Sequence, residues 1–429
     1  MVDFTFLPFA ETFLRCMHII IFEDNQAPQL FPATIARPAF AITVGTYRLI
    51  DLAQRFGSHV EVMVRPYLRE ITKLDFPNLW TPEKQPRSTP VLALNARVVP
   101  HIGLFHELQE AVKKGQSGIV HTSGGIACAL FTKDSPFPHE FVGSAQLTGI
   151  IEDMNLKPLN IQIPMLEYAH DIIRYQLQIM NDNMNDRLKT GAYTEIADGV
   201  FAAQGQPLGQ YCVTDSSDGP IIFEEGVKIG PFCYFRGPVY VGKKTKINEY
   251  AVLKDCVSIG NTAKIGGEVE GAVVESYSNK QHHGFLGHSY LGSWINLGAG
   301  TSNSDLKNTY GEVVMEYGRA KVKTGMQFVG SFIGDYAKTA INTGIFTGKT
   351  IGACSMLYGF ITTNVPSFVN YARTFGQVTE TSIETLVAAQ ARMFARRNVE
   401  QRPCDIQLLR DIYEMTRHER QLASEPLSL

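Results

Sequence analysis

The stretch FEEGVKIGPFCYFRGPVYVGKKTKINEYAVLKDCVSIGNTAKI, residues 223–265, decides the fold. Apolar residues fall at Phe223, Ile229, Phe235, Val241, Ile247, Leu253, Ile259 and Ile265, a step of six without omission. Two positions before each lies a second series of small or β-branched residues: Ile221, Val227, Cys233, Val239, Thr245, Ala251, Val257 and Ala263. A period of six fits neither the 3.6 of an amphipathic helix nor the alternation of a lone strand. It reads as the hexapeptide repeat of a parallel β-helix. Three hexads close one triangular coil, each side a short strand with its anchor pointing inward, and Gly or Asn is expected at the corners. Gly230, Gly242, Gly260 and Gly266 follow anchors directly. One coil cannot bury its own inner face, so coils should stack at the ordinary strand spacing of roughly 4.8 Å.

Outward from this stretch the pattern changes. After Ile265 the six-step lapses through Gly271 and Glu275–Asn279, and it resumes at Leu291 and Leu297. It then pauses for an excursion from Thr301 to Gly325 and returns at Ile333, Thr339, Ile345, Ile351 and Leu357. A long loop in a tight solenoid costs closure entropy and exposes backbone, so it marks a candidate site. Upstream, residues 206–220 carry Pro207, Gly209, Gly219 and Pro220, as a linker or the ragged first coil would. Further back, His18–Phe22, Val60–Val64, Val91–Leu94, Ile126–Phe131 and a stretch through Val44 to Ile50 read as strands. Leu104–Lys114 and Leu166–Leu188 read as helices. The alternation predicts an α/β sheet domain over 17–205 whose ligand sits at the carboxyl ends of the strands, near the loops 23–37 and 95–97. The β-helix then occupies 206–372. Residues 373–429 form a helical tail, introduced by Thr381-Ser382-Ile383-Glu384 with the spacing of a capping box. That tail is expected to cap the open edge of the last coil or to clasp a trimer.

Composition narrows the function classes. A net charge of −3 and a pI near 6.4 over 429 residues, with no basic block, argue against a dedicated nucleic-acid binder. The seven cysteines, at 16, 128, 212, 233, 256, 354 and 404, show no CxxC and read as reduced thiols of a cytoplasmic protein. No run approaches the 18 apolar residues that would span a membrane. The first sixteen residues lack the basic-then-apolar order of a signal peptide, which makes Met17 a candidate start.

Chemistry concentrates in Asn279-Lys280-Gln281-His282-His283-Gly284-Phe285-Leu286-Gly287-His288 and in Trp294-Ile295-Asn296-Leu297-Gly298-Ala299-Gly300-Thr301. Three histidines within seven residues is dense for a chain with eleven. A neutral imidazole is well suited to taking a proton from an amine or hydroxyl near pH 7. Asn296 and the Gly-Ala-Gly turn supply amide groups that could hold a sugar or polarise a thioester carbonyl. A zinc site is the rival, but no cysteine lies near enough to complete a set of ligands.

Lys280 to Gly311 resembles the acetyltransferase half of the bifunctional enzyme that makes UDP-N-acetylglucosamine. The whole chain is similar to a bacterial branch of such sugar nucleotidyltransferases, in which an atypical N-terminal sheet domain precedes a left-handed β-helix. The resemblance covers about 17–372 and is most specific over 279–311. It implies that His282 or His283 deprotonates the amine of a glucosamine-1-phosphate-like acceptor. It also implies that Lys280, Asn296, Asn303 and Asp305 contact substrate, with acetyl-CoA as acyl donor. Phe285 stands where the family has a phosphate-binding tyrosine, and Asp305 where it has asparagine. The resemblance further implies a homotrimer with sites between subunits, in which the phosphates of CoA would draw on Lys338, Lys349 and Arg373. Two assignments rest on the N-terminal half. Arg37-Pro38 resembles the signature of the atypical branch, and Asn95-Ala96-Arg97 follows a strand, so Arg37, Asn95 and Arg97 are candidates to bind a nucleoside triphosphate and a sugar phosphate. The glycine-rich phosphate loop of ordinary nucleotidyltransferases is missing after Phe22. Nucleotidyl transfer would call for Mg2+, for which the sequence offers only Asp24 and Asp171.

Three functions are compatible with these residues. One is a two-part enzyme that acetylates an amino sugar phosphate and joins a sugar 1-phosphate to a nucleotide. A second keeps the acyltransferase beside an N-terminal domain that only binds or regulates. In the third the column is a non-catalytic trimerisation stalk, which the interrupted repeat disfavours.

Overall fold

In the computed structural model, which describes residues 17–79, 90–133, 137, 143–318 and 320–423, the hexads wind into a parallel β-helix. Ile221 pairs with Val239 and Val239 with Val257, while Lys228 pairs with Lys246 and Lys246 with Lys264. Three hexads therefore return the chain to the same face. The inward series share one core: Phe223, Phe235, Val241, Ile247, Leu253, Ile259 and Ile265 are fully buried together with Cys233, Ala251 and Ala263. Each such large side chain contributes roughly 1.5–3 kcal/mol by leaving water, so the stack rather than any single hexad carries the fold. The six described cysteines are free thiols, and Cys16 and the reading of the first sixteen residues lie outside the described residues. Among the described residues no helix is long and apolar enough to cross a membrane.

The corners are not built as expected. Phe232, Lys244, Tyr250, Thr262, Tyr277, Trp294, Tyr336 and Phe368 all hold positive φ, a conformation that costs an L side chain roughly 1–2 kcal/mol. Ring stacking between successive coils offsets it: Phe232 lies 5.0 Å from Tyr211 and 5.4 Å from Tyr250, and Tyr277 lies 4.3 Å from Trp294. The glycines after the anchors serve another purpose. A Cβ on Gly230 would come within 2.5 Å of the Glu249 nitrogen, and one on Gly260 within 2.5 Å of the Ser276 nitrogen. Glycine is required there by the close approach of the neighbouring coil.

Where the six-step lapses, the coil shortens and does not break: Ser258 pairs with Val273 and Lys264 with Asn279. Tyr290 pairs directly with Phe332, so the column resumes in register across the insertion. Ser302–Asn303 still belongs to the column, paired with Gly344–Ile345. The excursion leaves after Asp305, whose carbonyl accepts the Val329 N–H at 2.8 Å, and it carries an antiparallel hairpin of Val314–Tyr317 and Ala320–Lys323. Val200–Ala203 pairs with Ile221–Phe223 and Val213–Asp215 with Tyr234–Arg236, so the ragged first coil starts at Val200, ahead of 206. At the far end Gln377–Glu380 pairs antiparallel with Val369–Ala372 and covers that edge. The following helix, Ile383–Ala395, is capped by the Ser382 hydroxyl, which accepts the Thr385 N–H, one residue later than Thr381. Its Phe394 packs on Trp294 and Tyr336.

The other compact unit holds a five-stranded sheet in the order His59–Met63, His18–Phe22, Val91–Asn95, Gly125–Phe131, Gly118–Thr122. The first three strands are parallel, and the last two form an antiparallel hairpin. Gly118–Thr122 was not expected, because His121 and Thr122 interrupt its apolar run. The stretch expected as a strand from Val44 to Ile50 ends in the helix Leu49–Phe56, since Asp51 accepts the Arg48 N–H and caps a helix start.

The division between units also departs from a boundary at 205. Residues 29–37, 43–46 and 168–429 form one unit. Helix Asp171–Thr190 buries Met180 and Met184 with Ile222 and Tyr240. Arg37, expected to bind a phosphate, instead pairs with Asp335 and approaches Glu275 at 3.5 Å. Glu275 also accepts from the Thr43 N–H and hydroxyl at 2.9 and 3.0 Å and from the Tyr290 hydroxyl at 3.2 Å. The Arg37 guanidinium is committed to the column wall. Removing one partner of a buried ion cluster leaves the other charges uncompensated. Arg37→Met is therefore expected to lower unfolding free energy in urea by about 3 kcal/mol. Lys243→Met, which breaks only the exposed 3.8 Å pair with Glu225, should change it by less than about 1 kcal/mol.

Candidate functional site

The three histidines occupy one coil but different surroundings. His282 and His283 sit exposed at a corner, and among the described residues the side chain of His282 meets only that of Gln281, whose amide nitrogen lies 3.2 Å from Nε2. Among the described residues neither has a carboxylate partner. His288 lies past the next strand, mostly buried, with Nδ1 2.8 Å from the Asp305 carboxylate. Its ring stacks on Phe328 at 5.3 Å. Asp305 and Phe328 are the two ends of the excursion, so the neck of the insertion closes around this imidazole.

Several residues expected to touch substrate are structural. Lys280 is buried, and its ammonium donates to the carbonyls of Gly266, His282 and Gly284 at 2.8, 3.1 and 2.6 Å. It staples the corner that carries His282 and has no donor left for a sugar. Asn303 is buried as well: its Oδ1 accepts the Gly287 N–H at 2.9 Å and its Nδ2 donates to the Gly287 carbonyl at 3.0 Å. It fixes the strand before His288. Asn296 joins an amide ladder with Asn279, which in turn accepts from Arg397, on the face that also holds Lys338. Asp305 is the exception, since its carboxylate faces an imidazole.

The cations expected at CoA phosphates are not brought together by this chain alone. Lys338 is half-buried and donates to the Tyr336 carbonyl at 2.9 Å, and burial lowers its pKa. Lys349 stands on the nine-stranded face, paired with Ser331. Arg373 is exposed and donates to the Thr363 hydroxyl at 3.1 Å.

In the sheet unit, Arg97 and Asn95 are fully buried. Arg97 grips Asp24 with two donors at 3.0 and 2.7 Å and donates also to the carbonyls of Leu166 and Gly124. Asn95 donates to Asp24 at 2.8 Å and accepts the Arg97 N–H at 3.0 Å. These groups hold one another at the carboxyl ends of the strands and present no fork for a diphosphate. Asp24 does not fit Mg2+, because both its oxygens already accept from Arg97, Asn95 and the Gln26 N–H. Asp171 pairs with Arg174 at 2.7 Å. Among the described residues no three His, Cys, Asp or Glu side chains gather as a metal cage.

Residues 19–189 match the family model described as sugar nucleotidyl transferase. Two curated relatives extend the likeness. The chain is 32% identical over 146 residues to a bifunctional sugar-1-phosphate nucleotidylyltransferase/acetyltransferase of Sulfurisphaera tokodaii, covering 33% of this chain and 35% of that protein. It is 26% identical over 223 residues to the bifunctional protein GlmU of Methanococcus aeolicus, covering 50% of this chain and 49% of that one. The chain thus spans between about a third and a half of these relatives. A solved UDP-N-acetylglucosamine acyltransferase of Francisella novicida overlaps 55% of this chain and 79% of its own at 16% identity and a TM-score of 0.33, too slight a likeness to bear on function.

The pairing of His288 with Asp305 was not legible as a motif. The residues are 17 apart, one shortened coil, and that coil period is the signal that could have joined them. For Lys280, burial depresses the ammonium to about 8. The unfolded chain then binds this proton more tightly, so the group makes stability rise with pH between about 8 and 10. In thermal melts, Lys280→Met is expected to flatten that rise and to destabilise the protein by about 2 kcal/mol, through three carbonyls left without their donor.

Proposed function

We propose that the column catalyses acetyl-CoA-dependent N-acetylation of an amino sugar phosphate of the glucosamine 1-phosphate type. The observation that carries this reading is the interruption of the column between Asp305 and Val329, at the coil that holds three imidazoles. The names of the relatives support it: both cover part of this chain and both are bifunctional, one being named for nucleotidyl and acetyl transfer. The amine attacks the thioester carbonyl, an imidazole from His282, His283 or His288 takes its proton, and the C–S bond breaks to release the thiol. Asn296 and the Gly298-Ala299-Gly300 turn are the proposed amide contacts to the acyl or sugar group. Assembly as a cytoplasmic homotrimer would let Lys338, Lys349 and Arg373 of different subunits meet at the phosphates of CoA.

For the sheet domain we propose nucleotidyl transfer from a nucleoside triphosphate to a sugar 1-phosphate, on the strength of the family match over 19–189. The closed network of Asp24, Asn95 and Arg97 favours a second reading, in which this domain binds or regulates without turnover.

Two assays separate these possibilities. Thiol release from acetyl-CoA with glucosamine 1-phosphate should be seen with the wild-type protein and should fall at least about 100-fold in a variant carrying His282→Ala, His283→Ala and His288→Asn together. No release across a panel of amino sugars and acyl-CoAs would leave the stalk. Pyrophosphate release with Mg2+, nucleoside triphosphates and sugar 1-phosphates should be seen if the sheet domain is an enzyme, and its absence selects the regulatory reading.

A further inference from the structure

We infer that His288 is the general base of this acyl transfer and that Asp305 is the residue that positions it; the inference rests on the acyl-transfer reading and assigns the proton acceptor within it. A base needs a fixed ring, a defined tautomer and a lone pair left available. His288 has all three. Its Nδ1–H donates to Asp305 at 2.8 Å, which commits the proton to that nitrogen and leaves the lone pair on Nε2. No protein group among the described residues hydrogen-bonds Nε2. The ring is held on one face by Phe328. On another side it lies over Gly271, where a Cβ would come within 2.9 Å of Cδ2 and 3.0 Å of Nε2, so any larger residue would displace the imidazole. The backbone of both residues is anchored: the Asp305 carbonyl accepts the Val329 N–H and the His288 carbonyl accepts the Gly330 N–H, both at 2.8 Å. Among the described residues His282 and His283 have neither a carboxylate nor a stacked ring.

The step balances within the pair and its substrates. The amine nitrogen forms a bond to the thioester carbonyl carbon, its proton passes to Nε2 of His288, the C–S bond breaks, and the same proton passes from Nε2 to the leaving thiolate. Asp305 stays ionised and steadies the imidazolium that forms in between.

His288 holds φ +44, a conformation that asparagine tolerates, so His288→Asn should fold as the wild type does by thermal melting. It should lower kcat for thiol release about 100-fold or more, and Asp305→Asn should lower kcat with KM little changed, because the amide no longer fixes the tautomer. His282→Ala and His283→Ala, at the two exposed candidates for the same role, should each lose far less kcat than His288→Asn. A measurement independent of turnover accompanies these: carbethoxylation of each histidine by diethylpyrocarbonate, mapped by mass spectrometry, with acetyl-CoA expected to shield His288 selectively. Turnover that survives His288→Asn and dies with His282→Ala or His283→Ala overturns the assignment and leaves acyl transfer standing. No turnover with any acceptor, while acetyl-CoA still shields His288, upholds the site and overturns the proposed acceptor. No turnover and no shielding overturns both.

Discussion

A short strand of two or three residues has no stability of its own. In this column each is held only because the coil before it and the coil after it supply its backbone partners at the same register. Unpaired backbone groups inside a protein cost about as much as a lost hydrogen bond, so the register is not negotiable over the length of the stack. Everything else adapts to it. Coils lose residues between Ser258 and Val273, and a whole hairpin is ejected sideways between Asp305 and Val329, yet the strands on either side still meet their partners.

That constraint explains what could be read from the residues alone. The inward series repeats because the core repeats, so Phe223 to Ile265 announces the column with no help from tertiary information. The corners do not repeat in residue type, since a positive φ can be supported by a ring stacked on its neighbour as well as by glycine; Trp294 and Tyr336 at corners had no reason to be recognised. Polar residues were harder still. Arg37, Asn95 and Arg97 look like phosphate ligands in a sequence, because arginine and asparagine use the same donors for a phosphate and for a buried carboxylate. Only the fold brings Asp335 to Arg37 and Asp24 to Arg97.

The same logic sorts the residues around the insertion. Lys280 and Asn303 turn their polar atoms on backbone carbonyls and N–H groups, and they give the wall its shape. His288 and Asp305 turn theirs on each other across one coil, leaving one ring nitrogen without a partner among the described residues. A wall built by buried hydrogen bonds can hold an imidazole in a single orientation, which an exposed corner such as His282–His283 cannot do by itself.

The cluster around Glu275 has a consequence for how the chain comes into being. Arg37 and Asp335 are separated by 298 residues. At ribosomal rates of about 5–20 residues per second, the carboxylate emerges roughly 15–60 s after the guanidinium it will meet. Thr43 meets its carboxylate sooner, when Glu275 is made, while Arg37 waits for Asp335. Winding can proceed upward from Ile221 as each turn leaves the tunnel, but it is completed only when the chain reaches back to a segment made near its beginning.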